Sequence, residues 1–196
     1  MFNFKPCAAG CGNGALTGSE LCAEHSADPI ADAARLELYI KTQSIVRSLN
    51  SAGLKFIDKD LSKRKYLGCN FTRAEFSNCN FKNSFFKFTF FDSSLFNNCD
   101  FSLCNMEFSS FGGCTFNDCI FKDAELVQLN FNGTKIKDCN FEASNLYSSR
   151  FINSYIDQSA IADCNLKDVF FINARITDVS FKASNTYDAI YEMEKN

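Results

Sequence analysis

The residues best suited to chemistry lie at the start of the chain. Cys7, Cys11, Cys22 and His25 follow one another as C-x3-C-x10-C-x2-H, and His25 is the one histidine in 196 residues. Thiolate and imidazole are ligands that zinc prefers, and two pairs, each close in sequence, can grip a tetrahedral ion from two turns. Gly10, Gly12 and Gly14 relax the first of those turns. Four protein ligands close the coordination sphere, which marks a structural site, because a catalytic zinc keeps one position open for water. The competing reading is a chance grouping in a loose N-terminus, which would have to place the sole histidine at C-x2-H by accident. In so short a segment, metal binding at ~10–16 kcal/mol could supply most of the folding free energy. Recognition of DNA is not expected here. Up to Asp28 the segment carries Lys5 against Glu20, Glu24 and Asp28, the wrong sign for phosphate contacts.

The elements that must position this segment begin with an expected helix over 29–50, inside a helix-and-linker segment 28–53. Asp28-Pro29 supplies a cap followed by proline at the first helical position. Ile30, Ala34, Leu38, Ile45 and Leu49 recur near helical spacing, and Gly53 ends the element. Lys59, Lys63, Arg64 and Lys65 follow as a short basic cluster, read as a solvated edge.

Everything after that is periodic. From Cys69 to Ala183 the chain divides into 23 units of five residues with no insertion or deletion. The centres, read from Phe71 in steps of five, are all Phe, Leu, Ile or Met. The residue two before each centre is small, with Leu129 the one exception. A fixed period has to be read before any helix or strand is assigned, and five matches neither 3.6 nor 2. A square coil fits: each unit makes one side, four units close a rung of 20 residues, and the centre and the small residue point inward. Rungs then stack at the ~4.8 Å spacing of neighbouring strands. In steps of 20, one side reads Phe71, Phe91, Phe111, Phe131, Phe151, Phe171 and a second passes from Phe76, Phe96, Phe116 to Ile136, Ile156, Ile176. Phe56, Leu61 and Tyr66 continue the register backwards, but Lys59 and Arg64 fall at inward positions. The stretch 54–68 is therefore expected to be an irregular first coil whose open end releases those charges to solvent.

Eight of the 11 cysteines sit two before a centre, where Ser, Ala and Thr alternate with them. They read as reduced, buried small residues, with Cys79, Cys99, Cys119 and Cys139 forming a column of free thiols. This fits a cytoplasmic protein. Met1 to Cys11 has no apolar run behind a basic one, so no secretion signal is expected. No segment approaches the ~18 apolar residues of a membrane span.

The units Cys69-Asn70-Phe71, Cys79-Asn80-Phe81, Cys99-Asp100-Phe101, Cys139-Asn140-Phe141, Ser144-Asn145-Leu146 and Cys164-Asn165-Leu166 resemble the pentapeptide repeat family, whose repeat is written A-(D/N)-L-x-x. The resemblance implies an all-β solenoid, a right-handed quadrilateral parallel β-helix of about six rungs over 54–183. It also implies a macromolecular partner. Some members protect DNA gyrase and topoisomerase IV from quinolones, are proposed to mimic duplex DNA, and dimerise through C-terminal ends. This chain has no loop between Cys69 and Ala183, and its net charge is only −3.

An enzyme is not expected. The sole histidine is committed to metal, no phosphate-binding glycine loop is present, and the outer carboxylates alternate with Lys and Asn, so nothing marks a small-molecule substrate. The expected role is a protein-interaction or scaffold module. Its partner surface is read from outward apolar residues on or beside the fourth side: Phe85, Phe88, Leu103, Phe108, Val127 and Tyr147, with Phe90 and Leu95 close by. Such patches mark contact. The helix of this chain, a protein partner or a second copy would each cover it. The tail 184–196, with Tyr187, Ile190, Tyr191 and Met193, is expected to cap the rod or form a dimer contact, since solenoids need covered ends.

Overall fold

The computed structural model describes residues 4–192; Met193 of the expected tail contact lies outside them. The period-five stretch is a parallel β-solenoid of about seven turns. Its short strands alternate between two opposite walls. One wall holds β1 (Ile45–Arg47), β3 (Lys65–Leu67), β5 (Phe85–Lys87), β7 (Asn105–Glu107) and β9 (Glu125–Val127). The other holds β2 (Lys55–Ile57), β4 (Glu75–Ser77), β6 (Leu95–Asn97), β8 (Thr115–Asn117), β10 (Lys135–Lys137), β11 (Tyr155–Asp157) and β12 (Arg175–Thr177). Every pairing is parallel and displaced by one rung, as in Phe76 beside Phe96 and Phe86 beside Met106. The two remaining walls are joined by single bridges such as Asn70 with Phe90 and Asn80 with Asp100.

The corners explain how five residues make one side. After centres such as Phe71 and Phe91 the chain closes a β-turn, with the Ala74 amide donating to the Phe71 carbonyl at 3.2 Å and Ser94 to Phe91 at 3.0 Å. In every unit the residue two after the centre has positive φ, from Arg73 at 57° to Ala183 at 63°. A type II turn requires that conformation at its third residue. Asn, Asp, Ser and Gly fill most of these positions, as expected for residues that tolerate it.

The interior is a stack of rings. Phe71–Phe91, Phe91–Phe111, Phe111–Phe131 and Phe131–Phe151 are face-stacked at 5.1, 4.8, 5.3 and 4.8 Å between centroids. Neighbouring columns meet edge to face, as in Phe91–Phe96 at 5.8 Å, so both favoured aromatic geometries recur through the middle rungs. The small inward residues do more than fill space. Ser94 Oγ donates to the Phe71 carbonyl at 2.7 Å and accepts from the Ala74 amide at 3.0 Å. Cys104, Cys114 and Cys164 thiols donate to carbonyls of the preceding rung at 3.0, 2.9 and 2.9 Å. Ser, Thr and Cys interchange here because each both fits and donates. Burial pushes the Cys69 and Cys104 thiols up to about 12 and Cys164 to about 11. Cys79 and Cys119 are raised by neighbouring thiols of their column and by burial.

Three expectations need correction. The helix α1 spans Pro29–Thr42 and stops well before residue 50. Asp28 caps it, its side chain accepting from the Ala31 amide at 2.9 Å, but Gln43 is already extended. The following Ile45 and Val46 are β-branched and pair with β3, which is stronger local evidence for a strand than the loose helical spacing of Ile45 and Leu49. Gly53 ends no helix; with φ at 76° it occupies a solenoid corner. The periodic register thus starts at Val46, and the units centred on Val46, Ser51, Phe56, Leu61 and Tyr66 raise six rungs to about seven.

The first coils are regular, and their inward charges do not escape through an open end. The helix covers it, burying Ala33, Leu36 and Ile40 against the rod while Ile30 and Leu38 stay exposed. Lys59 pairs with Glu37 of α1 at 2.8 Å, and Arg64 donates to the Ile40 and Lys41 carbonyls at 3.3 and 3.2 Å. A cation near a helix C-terminus also meets the favourable end of its dipole. At the far end, Ile176, Val179 and Phe181 are only partly buried. The tail pairs with the preceding rung beside them, the Phe171 amide donating to the Ile190 carbonyl at 2.8 Å and Tyr191 stacking on Phe171 at 5.7 Å, while Tyr187 is exposed.

Candidate metal centre and outer contact face

Two turns bring the N-terminal ligand set together. Cys7 and Cys11 flank a turn closed by the Gly10 amide donating to the Cys7 carbonyl at 2.9 Å, with Gly10 and Gly12 at positive φ. Cys22 and His25 flank a second, in which the His25 amide donates to the Cys22 carbonyl at 3.1 Å. The four ligand atoms all lie within 4.8 Å of one another. Cys11 and Cys22 Sγ are 3.7 Å apart, and His25 Nδ1 stands 3.4 Å from Cys22 Sγ and 3.8 Å from Cys7 Sγ. A tetrahedron with Zn–S of ~2.3 Å and Zn–N of ~2.0–2.1 Å has edges of about 3.6–3.8 Å. The donor set and its spacing therefore fit a metal ion of that size, with Nδ1 as the imidazole ligand.

The surroundings of Cys22 favour its thiolate. The Cys22 amide donates to Cys7 Sγ at 3.4 Å and Asn13 Nδ2 approaches Cys22 Sγ at 3.9 Å. Burial alone would raise the Cys22 thiol, but hydrogen bonds with the His25 side chain and backbone, and with Cys11 and Cys7, outweigh it and hold it at about 6. Cys7 and Cys22 are buried, whereas Cys11 and His25 are exposed.

Asn50 is the joint between this module and the solenoid, and spacing alone gave no sign of it. It is 1% exposed; its Nδ2 donates to the Ala15 carbonyl at 2.7 Å and its carbonyl accepts from the Thr17 amide at 2.9 Å. Arg73, at a corner of the second rung, donates to Asn13 Oδ1 at 2.9 Å. From α1, Arg35 donates to the Thr17 carbonyl at 2.7 Å, and Leu16 joins the main core. Helix and cysteine module together close one end of the rod.

The second candidate site is the outer surface of the five-stranded wall. Phe88 and Phe108 lie one rung apart, 50% and 52% exposed, and stack at 5.3 Å with planes 16° apart. Lys87 Nζ lies 5.9 and 5.7 Å from the two ring centroids and pairs with Glu107 at 2.8 Å. Phe85, Val127 and Tyr147 are half-buried on this wall, and Leu103 stands exposed at the adjoining corner. Phe88, Leu103 and Phe108 adopt φ of 50°, 58° and 50°. For a bulky side chain the left-handed region is an outlier and costs about 1–2 kcal/mol. Helix α1 does not cover this surface; it sits on the end of the rod.

The fold and its repeat define a class, the parallel β-solenoids built from five-residue units. Residues 99–138 match the family described as pentapeptide repeats, in 8 copies, and the same five-residue register runs through the rest of the solenoid. Similar solved structures include QnrB1, a plasmid-mediated fluoroquinolone resistance protein, at 18% identity over 68% of this chain and 82% of that one, with a TM-score of 0.33. A pentapeptide repeat protein from the Arabidopsis thaliana thylakoid lumen aligns at 19% identity over 60% of this chain and 68% of that one, TM-score 0.41. One from the cyanobacterium Cyanothece 51142 aligns at 14% identity over 81% and 99%, TM-score 0.38. No curated protein matches the chain. Among the described residues no helix is long and apolar enough to cross a membrane.

Proposed function

We propose that this chain is a non-enzymatic interaction module of a reducing compartment such as the cytoplasm. Its rigid solenoid is closed at one end by a zinc-bearing cap and presents its five-stranded wall to a protein partner. The observation that carries this reading is the pair Phe88–Phe108. Two exposed aromatics occupy backbone positions that most units fill with Asn, Asp, Ser or Gly. Their strain serves no packing need of the rod, so a contact outside it is the remaining physical reason for them. Zinc held by Cys7, Cys11, Cys22 and His25 would be structural, since four protein ligands leave no place for substrate.

The test is capture of a partner on immobilised full-length protein, repeated with Phe88→Ser and Phe108→Ser together. The reading expects capture to be lost while the circular dichroism spectrum and melting temperature stay within a few degrees. Unchanged capture would overturn it. For the cap, one zinc per chain is expected on metal analysis, with Cys22→Ser lowering the melting temperature; protein purified without zinc and indifferent to that substitution would remove the metal.

A modulator of DNA gyrase or topoisomerase is the alternative. A duplex mimic needs uncompensated negative charge, and here column carboxylates are matched by lysines one rung away: Lys55–Glu75, Lys87–Glu107 and Lys122–Glu142 at 2.8, 2.8 and 2.9 Å. We therefore expect no protection of gyrase from a quinolone in a supercoiling assay at micromolar protein.

A further inference from the structure

The outward residues of the five-stranded wall are ordered along the rod as well as apolar at its middle. On the N-terminal side of the Phe88–Phe108 pair the charges are Arg47, Lys65 and Lys87; on the C-terminal side come Glu107 and Glu125. Lys65 and Glu125 are both exposed and make no ion pair among the described residues. The opposite wall has no such order. Its outward positions run Lys55, Glu75, then Asn and Thr, then Lys135, Lys137 and Asp157.

A two-fold axis lying in the plane of this wall, along the strands and between β5 and β7, turns a second copy over. Each residue then faces the residue at the same place in the pentad, equally far on the other side of the axis. Phe88 faces Phe108, and Leu67 faces Val127. Lys65 faces Glu125, and Lys87 faces Glu107. Apolar meets apolar and cation meets carboxylate at each of these positions. The parallel arrangement, a two-fold along the rod, would set Lys65 against Leu67, Lys87 against Phe85 and Glu125 against Val127, each charge against an apolar side chain, which disfavours it. An isologous contact needs this kind of self-complementarity.

Resting on the proposal that this wall is a contact surface, we infer that its occupant is a second copy of this chain, packed antiparallel through the two-fold just described. Six rungs at ~4.8 Å by a side about 15 Å wide give a flat footprint of roughly 400 Å² per copy. With side-chain relief the total is on the order of 1,000 Å², the low end of specific interfaces. The dimer is therefore reversible and concentration-dependent, not obligate.

Sedimentation velocity of the full chain over roughly 1 to 500 μM would show a monomer–dimer equilibrium in the micromolar range or weaker. Lys65→Glu and Glu125→Lys should each raise the dissociation constant about tenfold or more, and the double exchange should recover most of that loss, because the charges then meet again. A zero-length carbodiimide cross-link between Lys65 and Glu125 reports orientation. Within one chain those residues are three rungs, about 14 Å, apart, so their amide forms only between copies. A protein that stays monomeric throughout, a dimer indifferent to both charge reversals, or a double exchange no better than either single one would overturn the inference. If the chain is monomeric yet still captures another protein through Phe88 and Phe108, the self-association fails and the contact-surface reading survives. Loss of both removes both.

Discussion

The two strand-bearing walls of this rod share one backbone and differ almost completely on the outside. Inside, both supply stacked apolar centres with the same spacing: Phe76–Phe96 at 5.1 Å on one and Tyr66–Phe86 at 4.8 Å on the other. Outside, the seven-stranded wall carries amide ladders, Asn78 to Asp58 at 2.8 Å, Asn98 to Asn78 at 2.9 Å and Asn117 to Asn97 at 2.9 Å. The five-stranded wall places Phe88 and Phe108 at the equivalent corners. In this architecture the inward residues fix shape and the outward residues are free to vary. A bulky, exposed apolar side chain at a corner is therefore information about contact, because nothing in the fold asks for it.

Substitutions can break that comparison at four levels. The largest effect should come from the interior that both walls share. Phe96→Ala empties a site stacked on both sides and should cost about 3–5 kcal/mol in denaturant unfolding. Next, Asn98→Phe imposes the strain of the five-stranded wall on the seven-stranded one and breaks an amide ladder, a loss of about 2 kcal/mol. Phe88→Asn is the reverse experiment. Relief of about 1–2 kcal/mol of backbone strain offsets the loss of a stacked pair worth about 0.5–1.5 kcal/mol, so stability should hold or rise slightly. A clear destabilisation would mean that the aromatic pair belongs to the fold. The smallest effect falls at Ser154, whose buried hydroxyl has no partner. The acceptor it would use by analogy with Ser94, the Phe131 carbonyl, is taken by Thr134 Oγ1 at 2.7 Å. Ser154→Ala should be neutral or mildly stabilising, whereas Ser94→Ala should cost about 1 kcal/mol.

The capped end offers a comparison by pH. Burial opposes ionisation of Glu37, but hydrogen bonds from Lys41 and Lys59 outweigh it and lower its pKa; Asp60 is lowered by hydrogen bonding to Ser62 despite its burial. Both carboxyls therefore bind protons more weakly in the folded state. Their stabilisation is present above the ordinary carboxylate range and is lost as pH falls below it, through the lowered folded-state values. Hydrogen exchange in α1 should accelerate on acidification before exchange in the middle rungs does.

The period of five made the solenoid and its interior columns legible, and the close C-x3-C and C-x2-H spacings did the same for the ligand quartet. The corner conformation was equally present in the sequence, two residues after each centre, but asking only which residues point inward passes over it. The helix misled because both its stripes are apolar. Ile30, Ala34 and Leu38 read as well as Ala33, Leu36 and Ile40, and the choice depends on Lys59 and Arg64 of the rod end. Asn50 left no signal at all, since its role consists of hydrogen bonds with Ala15 and Thr17, more than 30 residues away.

The unbroken register gives the rod the arithmetic of a gear. A gain or loss of 20 residues would lengthen or shorten it and leave every wall in phase. Removing five, for example 94–98, would rotate everything downstream by a quarter turn and carry Phe108 off the wall that holds Phe88, while every remaining inward residue still points inward. Sequence change in such a molecule can thus reassign which surfaces stand together while its interior stays intact.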